Sequence, residues 1–172
     1  MLRNFLLSLI PFKSHRDLNI NYSRIYSRAS PAKTNYRMDL KVKDLHVFKV
    51  NKHRFVELGL EWCGKNLGKL RHGYTIKSLP NFSRNAGSYH YDDKSIRLRV
   101  WESCALIDLV EIIIHEYIHY LQFKSRRIKQ LSDKLREELG YLNNPYEIEA
   151  RFVSDKLKQV CLNSLMDRLK AQ

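Results

Sequence analysis

The chain has 172 residues, enough for one sizeable core and too few for two. Hydrophobic residues make up 44% and charged residues 28%, which excludes a disordered or fibrous protein, and no apolar run approaches the length of a membrane span. Lys and Arg number 31 against 18 Asp and Glu, and the resulting net charge of +13 favours anionic partners. Neither a Gly-rich phosphate loop nor an aromatic RNA-binding signature accompanies that charge, so a nucleic-acid partner would have to use the basic surface alone. Cys63, Cys104 and Cys161 are scattered and form no CxxC pair, which excludes a thiolate zinc ribbon. Free cysteines of this kind fit a reducing, intracellular and cytoplasmic setting.

Along the chain, residues 1–37 carry seven Lys or Arg against the single acid Asp17. That bias resembles an organelle transit peptide, and "FLLSLI" a short secretory core, but Asp17 opposes the first reading and Pro11 interrupts the second. We expect a basic irregular arm or pro-segment over 1–37, which could block the cleft of a latent enzyme, and a single domain over 38–172. "FVELGLEWCGKNL" (55–67) has apolar residues at helical spacing. "HGYTIKSL" alternates as a strand does, and "PNFSRNAG" is turn chemistry. "SYHYDDKSIRLRV" (88–100) predicts a hairpin turning at Asp92-Asp93-Lys94, with Ile96, Leu98 and Val100 facing the core.

Three helices are predicted next, over 105–123, over 126–139 with a stop at Gly140, and from Asn144-Pro145 to about 170. The order implies an α+β fold. A small antiparallel sheet with an edge hairpin would pack on the 105–123 helix, and the C-terminal helix would lie alongside. On the first of these helices Asp108, Glu111, His115, His119 and Gln122 fall on one polar stripe within an apolar surface. His115 and His119, at i and i+4, can offer two imidazole nitrogens to one metal ion. Glu116 lies one residue round, where it can take a proton from a metal-activated water. Together they make HExxH, the pattern of a zinc hydrolase with Glu as general base. Chance would place it in roughly one or two per cent of sequences of this composition, and seldom inside an apolar run.

Such a site needs a third ligand, and no histidine follows His119. Cys161 is one candidate, and the carboxylates of "NPYEIEARF" are better ones. Glu147 and Glu149 point about 200° apart on a helix, so only one can face the metal. Glu147 has the small Ala150 on its own side, which would let two helices approach closely. It also stands at the third helical position, where Glu commonly caps backbone N–H groups instead. We favour Glu147, with Glu149 the alternative.

HEYIH (115–119) followed by EIEAR (147–151) resembles the gluzincin metallopeptidases of HExxH…ExxA type, and is most similar to their minimal members and to the compact domains of the ImmA-like and M48-like families. The resemblance covers about residues 85–157, and the 86–100 segment is similar to the edge hairpin before the active helix in those domains. It implies a zincin-like peptidase acting on a protein or peptide. One Zn2+ would be held by His115, His119 and Glu147, with Glu116 as base. Several such families place Asp after the alanine, supporting a ligand histidine. Here Arg151 stands there, so support must come from elsewhere, with Asp108 and Glu111 the candidates. SprT-like proteases share the hairpin-then-HExxH order but expect a third histidine. A stabiliser of the tetrahedral oxyanion is also needed, and His90, Tyr91, Tyr141 and Tyr146 are candidates. Strand 95–100 could receive an extended substrate by β-addition, with Arg97 and Arg99 preferring acidic neighbours. The competing function is a basic, nucleic-acid-associated binding protein whose metal is structural or absent.

Overall fold

The computed structural model describes residues 20–28, 39–78 and 86–171. Helix α1 (Tyr22–Arg28) and a 3₁₀ segment (Val42–Phe48) precede α2 (Lys52–Asn66). Strands β1 (Thr75–Ser78), β2 (Gly87–His90) and β3 (Ser95–Leu98) follow, then α3 (Leu106–Gln122) and α4 (Arg126–Leu139). A single 3₁₀ turn (Tyr141–Asn143) leads into α5 (Pro145–Lys170). The mixed α+β class agrees with the sequence reading. Of the basic arm expected over 1–37, residues 1–19 and 29–37 lie outside the described residues. Within it, 22–28 is helical rather than irregular, because Ile25 joins the core at 3% exposure.

Local signals set the helix ends. The Asn51 side chain accepts from the Arg54 N–H at the start of α2, and Ser125 from Ile128 at the start of α4. Gly140 ends α4 with φ 79°, a left-handed backbone that glycine adopts without a Cβ penalty. Asn144 accepts from the Tyr146 N–H, and Pro145 occupies the first turn of α5.

The sheet corrects one expectation. Its order is β1-β3-β2, with β2 antiparallel to β3 across the predicted hairpin but β1 parallel to β3, so the sheet is mixed. Strand β3 is therefore central and has partners on both sides, with Ile96 and Leu98 buried and Val100 packed against them. A substrate strand cannot add to it as expected. Arg97 instead pairs with Asp93 at 2.8 Å, and the Arg99 guanidinium lies 5.2 Å over the Trp101 ring. Among the described residues, the edge strand beside α3 is β2.

Helix α3 runs through the middle of the molecule. Leu106, Leu109, Val110, Ile113, Ile114 and Ile118 are all 0% exposed. A helix apolar almost all round must be covered on most sides, and each such side chain contributes about 1.5–3 kcal/mol on burial. Helix α5 supplies the largest cover, burying Ala150, Val153, Leu157, Cys161 and Leu165 in the same core. Tyr117 and Tyr120 tie α3 to the chain before β1, donating to the Gly68 and His72 carbonyls at 2.8 and 2.7 Å. Tyr74 packs edge-on against both rings.

Ala150 is fully buried one helical turn after Glu147, where the small side chain lets α5 lie close to α3. Ala150→Leu should lower stability by about 1–3 kcal/mol through overpacking. In urea unfolding and metal-binding measurements, it should weaken metal binding more than an equally destabilising change at Leu169, because it displaces Glu147.

Candidate metal centre

His115 and His119 project from α3 toward the start of α5, and Glu147 meets them. The His115 and His119 Nε2 atoms are 3.1 Å apart, and Glu147 Oε2 lies 3.3 Å from each. These three residues form a group that could hold a metal ion. Donor atoms on one face of a tetrahedral zinc site, with bonds of about 2.0–2.1 Å, stand about 3.3–3.4 Å apart. The two Glu147 edges have that size, and the His115–His119 edge is about 0.2 Å shorter.

Two features bear on what the triangle can hold. Glu147 Oε2 is buried and accepts no hydrogen bond, an arrangement that costs free energy unless a cation lies against it. Burial alone would raise the Glu147 carboxyl, but the adjoining His115 and the Tyr141 hydroxyl hold it below the usual carboxylate range. The second feature is the tautomer of His119. Gln122 Nε2 donates to the Tyr146 carbonyl at 3.0 Å and to Glu149 Oε2 at 2.8 Å, two groups that can only accept. Its Oε1 must then face His119 Nδ1, 2.8 Å away, so the His119 proton sits on Nδ1. The His119 Nε2 lone pair is left pointing into the triangle beside a carboxylate oxygen. One proton on His115 can satisfy only part of this cluster, whereas a divalent cation satisfies all of it.

The stabilising partners differ from those expected. Glu111 pairs with Lys158 at 2.7 Å and Asp108 is exposed, so neither supports a histidine. That work falls to Gln122, held in turn by Glu149. Glu149 thus faces away from the triangle, and Glu147, rather than capping its own helix, faces into it. Cys161 lies 14 residues further along the same helix, about 21 Å at 1.5 Å per residue, and takes no part. Arg151 donates to the Leu142 carbonyl instead of approaching a ligand. Phe123 stacks on His119 with centroids 5.4 Å apart and planes within 7°, fixing the ring from the other side.

Glu116 is 6% exposed, and burial first of all raises its carboxyl to about 7. The Tyr89 backbone N–H donates to it. Strand β2 can come this close only because residue 87 is glycine. A Cβ there would stand 2.7 Å from Ile112 Cγ2 and 2.9 Å from both Glu116 Cγ and Oε1. In the sequence Gly87 reads as turn chemistry, and Gln122 as one more polar residue on the stripe.

A cleft of about 1140 Å3 opens over the triangle, lined by β2, α3, α4 and the turn after α4. Tyr141, His90, Tyr91 and Arg97 line it, whereas Tyr146 and Arg99 do not. The Tyr141 hydroxyl meets Glu147, and its own pKa is pushed up to about 12, chiefly by burial. His90 contacts Ser88 Oγ at 3.1 Å, and burial and Arg97 lower its pKa. Tyr146 contributes its carbonyl to Gln122 and its ring to Phe123.

No family model, curated protein or solved structure matches this chain, so the likeness of HEYIH and EIEAR to gluzincins rests on those motifs and this geometry. No helix among the described residues is long and apolar enough to cross a membrane.

Glu147→Ala and His119→Ala should each abolish tight metal binding, and Glu149→Ala should retain one metal per chain by elemental analysis. Gln122→Leu, which frees the His119 tautomer, should weaken the metal about 10- to 100-fold in competition with a chromophoric chelator.

Proposed function

We propose that this chain is a zinc-dependent metallopeptidase. The carrying observation is the convergence of two imidazole nitrogens and an orphaned carboxylate oxygen in a buried triangle with 3.1–3.3 Å edges, beside Glu116. His115, His119 and Glu147 would hold the ion, and nitrogen and oxygen donors in this number suit zinc with a position left open. Bound there, zinc would supply Lewis acidity, lowering the pKa of a coordinated water toward neutrality and polarising a peptide carbonyl.

The chain's own groups do the rest. With its carboxyl near 7, Glu116 can both accept and return a proton at neutral pH, as a base serving attack and leaving-group departure must. The Tyr89 N–H steadies the ionised form and fixes the direction of the carboxylate. Tyr141 keeps its proton at neutral pH and lines the cleft against Glu147, so we assign it the stabilisation of the substrate oxyanion. His90 is the second cleft residue able to donate. The edge of β2, rather than β3, is where an extended peptide would lie.

A basic binding protein with a structural metal would gain nothing from a buried carboxyl at Glu116, which costs stability and ligates nothing. Glu116 therefore separates the two readings. Glu116→Gln should retain its zinc and lose about 10²- to 10⁴-fold in peptide turnover, measured on a quenched-fluorescence peptide library. A variant with full turnover would overturn the mechanism.

A further inference from the structure

Charges around the cleft are not evenly compensated. Arg97 is paired with Asp93 at 2.8 Å, and Lys129 with both carboxylate oxygens of Asp133. On the acidic side, Glu111 is paired with Lys158. Among the described residues, two cations lining the cleft have no carboxylate within ion-pair distance, Arg126 and Arg136. Both stand on α4, where 126, 129, 130, 133 and 136 repeat at helical spacing and present one face to the cleft. Two lining acids, Asp92 in the β2–β3 turn and Asp108, have no cation within ion-pair distance among the described residues, and Asp108 stands two to three turns before the histidines on α3. The cleft is thus positive at its α4 wall and negative toward the start of α3, with the metal triangle between.

Arg136 is the better placed of the two cations. Its guanidinium carbon lies 5.0 Å over the centroid of the Tyr141 ring, whose hydroxyl meets Glu147. Its position over that ring keeps the guanidinium beside the metal site, and a guanidinium is a planar fork of N–H donors that matches a carboxylate. Solvation alone accounts for an exposed arginine on an outer surface. It does not account for one held on a ring that touches a metal-ligand side chain.

We infer that the cleft selects substrates carrying a carboxylate, read by Arg136 with Arg126 in support on the α4 wall beside the metal site. This rests on the peptidase reading, and it names the substrate class. Two sources share that chemistry, an acidic side chain near the scissile bond and a free C-terminal carboxylate. Asp108 adds direction, because it repels a carboxylate from the other end of the cleft. A substrate would then lie with its acidic side toward α4.

Binding tests this independently of turnover. Full-length, zinc-loaded Glu116→Gln protein is titrated by fluorescence anisotropy with three labelled peptides of otherwise identical sequence. One carries an internal Glu and a C-terminal amide, one has Gln in its place, and the third is the Gln peptide with a free C-terminal carboxylate. At least one acid-bearing peptide should bind about tenfold or more tightly than the neutral amide, and which one identifies the source. Adding Arg136→Gln should bring that ratio close to one. Arg136→Lys, which keeps the charge but not the fork, should fall between, and melting curves check that each variant folds. A ratio near one in the parent, or one that Arg136→Gln leaves unchanged, overturns the inference. So does binding of a single-stranded oligonucleotide in preference to every peptide. If wild type cleaves peptides without acid preference, this inference falls and the peptidase reading stands. If the acid preference is present and wild type cleaves no peptide, the peptidase reading falls and carboxylate recognition stands.

Discussion

Everything at the centre of this molecule depends on one buried carboxylate oxygen. Glu147 Oε2 has been taken out of water, set 3.3 Å from each of two imidazole nitrogens, and given no hydrogen bond in exchange. An ionised carboxylate in such a place is tolerated only against a compensating positive charge. The cost of the arrangement is met by the rest of the fold, and above all by the packing of α5 against α3. That interface is apolar along most of its length, so the two helices have a fixed separation and rotation without help from the polar residues. Three donors that would repel one another in isolation are held at the spacing of a tetrahedral face.

Apolar burial and polar chemistry are therefore two parts of one device. The aliphatic residues of α3 pin its rotation, which aims the polar stripe into the cleft and keeps the histidine rings from exploring other rotamers. Phe123 and Gln122 act on His119 from two sides, one by stacking and one by choosing the tautomer. Glu116 shares the dry surroundings but stands outside the triangle, and its raised proton affinity follows from the same burial. Gly87 is the counterpart on the sheet. By lacking a Cβ it lets β2 close one side of the site and bring a backbone N–H to the Glu116 carboxylate.

Much of this could be read from residue order because its causes are local. Helix boundaries followed from Gly140, Asn144 and Pro145, each of which acts on its own neighbours in the chain. The i, i+4 spacing of His115 and His119 put them on one face, and the 200° between Glu147 and Glu149 left a choice that the geometry makes for Glu147. What could not be read depends on partners far along the chain. Nothing in "HGYTIKSL" says that β1 runs parallel to β3, because strand direction is decided by the path of the intervening segment. Glu111 was a sensible candidate to support a histidine until Lys158, 47 residues away, took it. Gln122 and Glu149 form a relay only once α3 and α5 lie together. Gly87 looked like a turn residue because a close approach between strand and helix leaves no mark in a single segment.

The central claim is that one metal ion is bound by His115, His119 and Glu147. Zinc K-edge X-ray absorption on the full-length protein, loaded with one equivalent of zinc, tests it most directly. The account predicts only nitrogen and oxygen neighbours at about 2.0–2.2 Å, with the multiple-scattering pattern of two imidazoles. A sulfur neighbour at about 2.3 Å, or a spectrum with no imidazole scattering, would contradict it.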